Sequence, residues 1–69
     1  MDTIGRMFTY VNPTVDQLPK YREIRDAALI FARIIEASAP NCGDRDTAIR
    51  HLRETVMFAN AAIALEGLV

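Results

Sequence analysis

Three aromatic side chains and three cations crowd one stretch of this chain. Phe8, Tyr10 and Tyr21 lie within fourteen residues of one another, Lys20 precedes Tyr21 directly, and Arg22 and Arg25 follow close behind. Aromatic rings stack on nucleobases and cations pair with phosphates, so the combination answers to a nucleotide-like ligand. The same residues fit a plainer arrangement, in which Phe8 and Tyr10 staple an N-terminal arm to the rest of the fold. Spacing alone leaves both open.

Outside this stretch no enzyme constellation stands out. His51 sits among Arg50, Arg53 and Glu54 on the polar side of a helix and reads as a solvated surface histidine. Cys42 has Arg45 nearby but no evident partner base, which favours a capping or turn role over a nucleophilic one. Asp44 and Asp46, two apart, face different directions on a helix and suit its positive end better than paired acid/base chemistry. A Gly-rich phosphate loop is missing. With one Cys and one His, an internal disulfide is impossible and a Cys/His metal cage is not expected; no cofactor is expected either. Asn60 is an amide within the most apolar stretch of the chain. It must be hydrogen-bonded if buried, either across an interface or to the backbone of the arm.

The elements that would position these residues follow from periodicity. Residues 1–15 lack a helical pattern, carry a turn signal at Asn12-Pro13 and are expected to form an extended arm. Asp16 is the expected cap of a first helix over 16–38, with Pro19 in its first turn. Ile24, Ala28, Phe31 and Ile35 form one stripe of that helix, and Ala27, Ile30 and Ile34 a second stripe beside it. Residues 39–43 read as a turn. A second helix is expected over 44–66, with Ile49, Leu52, Val56, Ala59 and Ile63 in a heptad-like stripe and an apolar surround from Val56 to Leu65. The predicted fold class is all-α: the arm, then an antiparallel helical hairpin spanning 16–69, assembled into a symmetric homo-oligomer.

Assembly is demanded by arithmetic. The chain has 69 residues, of which 51% are hydrophobic, whereas a domain of ~60 residues buries only about 60% of the surface its unfolded chain exposes. Without a disulfide or a metal, self-association is the support that remains. The formal net charge of −1 argues against a nucleic-acid polymer as partner, which calls for a strong cationic excess. A compact anionic ligand needs only a few local cations. No signal-peptide pattern or membrane-length apolar run is present, which implies a cytosolic chain, no membrane partner and a reduced Cys42.

A family resemblance rests on Thr9-Tyr10 followed by Pro13, on Lys20-Tyr21 with Ile24-Arg25-Asp26-Ala27-Ala28, on the Pro40 turn, and above all on Ala48-Ile49 leading through Leu52 and Glu54 to the segment Val56–Ala64. Over residues 8–64 the chain resembles a family of small phage proteins, the anti-CBASS sponges. These sequester the cyclic oligonucleotides that bacterial antiphage defence uses as alarm signals. Met57–Ala62 is the most specific piece. The resemblance implies a homohexamer of helical hairpins in the host cytoplasm that binds cyclic dinucleotides between protomers without cleaving them; some members also hold cyclic trinucleotides at a separate symmetric site. Tyr10 matches the family's base-stacking aromatic and Lys20 its phosphate-contacting lysine. Phe8, Arg22 and Arg25 are added as ligand-binding candidates on position and charge. Cys42 stands where a serine is common. The alternative is a helical interaction or assembly module whose spare apolar surface docks a host or phage protein.

Overall fold

The computed structural model describes residues 2–67; Met1 of the expected arm and Leu68 and Val69 at the end of the expected hairpin segment lie outside them. Three helices follow one another, α1 (Thr3–Met7), α2 (Leu18–Ser38) and α3 (Gly43–Ala64), with no strand among the described residues.

The hairpin is antiparallel. Gln17 reaches Ile63, Ile24 and Ala28 lie beside Leu52 and Val56, and Arg45 reaches back to Glu36. Its seam joins Tyr21, Ile24, Ala28, Ala32 and Ile35 of α2 to Ile49, Leu52, Val56, Ala59 and Ile63 of α3, all half-buried. The heptad-like stripe of α3 thus forms its side of the seam. On α2 the stripe drifts: Ala32 takes the place expected for Phe31, which is 55% exposed.

The turn has a clear physical origin. Ala39 precedes Pro40, a position that disfavours helical backbone, and it adopts φ −93°, ψ 140° as the C-cap of α2. Arg45 then braces the corner, donating from Nη1 to the carbonyls of Glu36 (3.3 Å) and Ala39 (3.4 Å) and from Nη2 to Asn41 Oδ1 (2.9 Å). It thereby satisfies carbonyls that a helix end leaves without partners. Cys42 is the extended N-cap of α3 but makes no side-chain capping bond, and Asp44 and Asp46 occupy the first turn. At the other end Gly67 N–H donates to Ala62 O (3.0 Å) and Glu66 N–H to Ile63 O (3.2 Å), a Schellman closure. Glu66 holds the left-handed position at φ 53°.

Three expectations for the N-terminal region change. The first residues are not extended throughout, because Asp2 Oδ1 accepts from Gly5 N–H (2.9 Å) and starts the short helix α1. Asp16 does not cap α2. Thr14 and Gln17 do, as a reciprocal box: Thr14 Oγ1 accepts from Gln17 N–H (3.3 Å), and Gln17 Oε1 accepts from Thr14 N–H (3.0 Å). Leu18 N–H already donates to Thr14 O (3.2 Å) in the helical manner. Pro19 has no N–H to offer the carbonyl of Val15, so the regular ladder counts only from Leu18. The turn falls at Val15–Gln17, and the Asn12-Pro13 pair lies in a stretch without one.

Very little of this chain is enclosed. No apolar side chain among the described residues is buried, and the second stripe faces outward with Ile30 63% and Ile34 55% exposed. Nor is the end of α3 covered on all sides, since Met57 is 60% and Phe58 74% exposed. A compact monomer of 7.7 kDa exposes about 4,300 Å², against 5645 Å² here. The radius of gyration is 14.8 Å, where about 11 Å suits a compact domain of this length.

Candidate ligand-binding site

The segment between α1 and α2 presents Phe8 and Tyr10 outward. After α1, Thr9 Oγ1 donates back to Gly5 O and Thr9 N–H to Arg6 O (3.5 Å). From Tyr10 to Thr14 the backbone has no regular structure. Phe8 and Tyr10 are 84% and 81% exposed, the opposite of what stapling to the chain's own helices would give. Tyr21 is half-buried on the hairpin seam, so of the three clustered aromatics it serves packing.

The cations divide by helical geometry. At 100° per residue Lys20 and Arg22 diverge by about 160° around α2, and Lys20 and Arg25 by about 140°. Lys20 shares its flank with Ala27 and the outward apolar stripe. Arg22 lines a groove of about 350 Å³ on the far side with Val15, Leu18, Pro19, Glu23 and Asp26. Neither Phe8, Tyr10, Lys20 nor Arg25 is among its walls. Two carboxylates beside Arg22 make this groove a poor receptor for a phosphate. The structure therefore separates Lys20 from Arg22 and Arg25, although all three are close in sequence.

A second hollow of about 480 Å³ lies between α1 and the end of α3, lined by Thr3, Met7, Phe58, Ala61, Ala62 and Leu65. Its walls are almost wholly apolar, with the Thr3 hydroxyl as the polar exception. His51 is exposed, its Nδ1 3.4 Å from Glu54 Oε2. Cys42 is an exposed free thiol. Asn60 Oδ1 is enclosed without a hydrogen-bond partner within the chain, and of the two roles expected of Asn60 the bond to the N-terminal segment is not made; Gln17 joins that segment's base to α3. No group of three or more His, Cys, Asp or Glu side chains that could hold a metal ion occurs among the described residues, and no described helix is long and apolar enough to cross a membrane.

The sequence reading missed Thr14 and Gln17. Their signal was present as Thr14-x-x-Gln17 just ahead of the apolar periodicity, a spacing that lets both side chains reach the other's backbone N–H.

Fold and site together describe a small helical hairpin with exposed aromatic residues ahead of it and an uncovered apolar flank carrying a lysine. The Acb2/Tad1 hairpin domain matches residues 4–64. The chain belongs to that family, the anti-CBASS cyclic-oligonucleotide sponges. Comparison with curated proteins and with solved structures gives no match.

Proposed function

We propose that this protein is a phage-encoded immune-evasion factor that binds cyclic dinucleotides in the host cytoplasm and holds them without cleavage, with cyclic trinucleotides as a second ligand class. Its working form in this reading is a symmetric homo-oligomer, a hexamer by family likeness. The family match carries the proposal, and the outward display of Tyr10 on a chain with an uncovered apolar flank supports it. A cyclic dinucleotide has two bases and two phosphates related by an approximate two-fold axis. A two-fold protein interface offers Tyr10 and Lys20 twice, once to each half. Each base stack contributes about 1–3 kcal/mol, and each Lys20 adds a charge-assisted contact to a phosphate. Sequestration asks for tight binding and no turnover, which such a site supplies without any group that attacks the phosphodiester.

Titration calorimetry with a panel of cyclic di- and trinucleotides tests this directly. The assembled protein should bind at least one of them well below micromolar, and the ligand should be recovered intact after the complex is denatured. Tyr10→Ala and Lys20→Ala should each weaken dinucleotide binding while leaving the oligomer's mass unchanged. Wild-type affinity in both variants would remove the site assignment. The uncovered stripe of Ile30 and Ile34 also suits the second reading, docking of a different host or phage protein. That reading predicts a monomer or dimer indifferent to nucleotides, which light scattering distinguishes from a stable higher oligomer.

A further inference from the structure

Gln17 is the one buried polar residue among the described residues, at 7% exposure. A buried amide is tolerated when both of its ends find partners. Gln17 uses both: Oε1 accepts from Thr14 N–H and Nε2 donates to the carbonyl of Ile63, each at 3.0 Å. Its backbone N–H donates to Thr14 O (3.1 Å) as well. One side chain thus fastens three pieces of chain at one point: the end of the arm, the turn entering α2, and the last turn of α3.

The position of this fastening matters for the ligand site. Lys20, in the first turn of α2, follows Gln17 by three residues, whereas Tyr10 precedes it by seven, across a stretch without regular structure. Thr14 and Gln17 are where that stretch is bonded to the hairpin. We propose that Gln17 is a positioning residue for the ligand site, holding the arm of Tyr10 in register with the helix of Lys20 without touching the ligand; this rests on the sponge reading above. An amide suits the role because it accepts at one end and donates at the other. Glutamate keeps the bond from Thr14 and loses the one to Ile63, and methionine loses both at similar length. Neither change should unravel α3, because the Ile63 carbonyl also accepts from Glu66 N–H (3.2 Å).

The test uses the assembled full-length protein with three probes, 3′,3′-cyclic di-AMP, 3′,3′-cyclic di-GMP and 3′,3′-cyclic GMP–AMP, taking the one that wild type binds most tightly. Gln17→Met should weaken binding roughly tenfold, within the range of one base stack, with oligomer mass unchanged, and Gln17→Glu should weaken it at least as much, because it buries a carboxylate oxygen against the Ile63 carbonyl. The loss should persist in a Lys20→Ala background and vanish in a Tyr10→Ala background, a pattern that general destabilisation does not produce. The anisotropy of Tyr10 fluorescence, isolated by Tyr21→Phe in a chain with two tyrosines and no tryptophan, should fall in Gln17→Met. Unchanged affinity, or an equal loss in both backgrounds, overturns the assignment. If wild type binds none of the three probes, the sponge reading fails for 3′,3′-cyclic dinucleotides and the ligand role of Gln17 fails with it; unchanged anisotropy in Gln17→Met refutes the fastening itself.

Discussion

Placing a charge on the outward stripe of α2 is the most direct test of what this chain does with its apolar surface. Full burial of an isoleucine side chain is worth about 1.5–3 kcal/mol. Ile30 and Ile34 are still 63% and 55% exposed, so covering what remains of either contributes about 1–2 kcal/mol. A two-fold contact presents the residue twice, which raises this to about 2–4 kcal/mol, or roughly 30- to 1,000-fold in the association constant. Ile30→Glu and Ile34→Glu lose that term and add a carboxylate that resists desolvation. Both residues face away from the hairpin seam, so circular dichroism should report unchanged helix while size-exclusion chromatography with light scattering reports a smaller species over a wide concentration range. Wild-type mass in both variants at every concentration would refute the idea that a second copy covers this stripe.

Three further perturbations probe the ends of the helices. Cys42 is an N-cap without a side-chain bond, so Cys42→Ser should stabilise the fold by about 1 kcal/mol, a rise of roughly 4–8 °C in melting temperature; no rise would mean that the first turn is already satisfied. Glu66 holds φ 53° at the negative end of α3. Glu66→Gly relieves both the backbone strain and the unfavourable charge and should raise the denaturation midpoint by about 1 kcal/mol in free energy, the opposite of most replacements by glycine. Arg45→Met removes three donors from the interhelical corner and should cost about 1–3 kcal/mol in urea denaturation. Arg45→Lys should recover only part of it, because a single ammonium cannot reproduce the fork.

The hairpin was legible because its stripe on α3 repeats at three- and four-residue spacing through about four turns, and Pro40 marks where the chain must reverse. The surplus stripe of Ala27, Ile30 and Ile34 was equally legible, since an apolar residue on the wrong flank stands out by period alone. Phe31 drifted out of the seam because a helix turns by 3.6 residues while the seam follows the partner's twist, so small Ala32 meets α3 instead. Helix α1 could not be read from periodicity: one turn started by Asp2 is too short to display a period. The start of α2 was obscured by Pro19, which interrupts the ladder after a cap that the sequence does encode. At the site, nearness in sequence grouped Lys20 with Arg22 and Arg25, and only the helical angle separates them. Between the two arrangements that spacing left open for Tyr10 and Phe8, their exposure decides against stapling to the described helices.

The lack of an enclosed apolar core changes what mutation means for this molecule. Where an ordinary domain keeps its interior apart from its contacts, here nearly every apolar residue is surface to its own chain. If copies of the chain supply one another's interior, association adds to the stability of each copy, and the melting temperature must climb with protein concentration. A single codon change on that shared surface would be repeated in every copy of the assembly, which makes the outward face of α2 as intolerant of drift as the core of a larger protein.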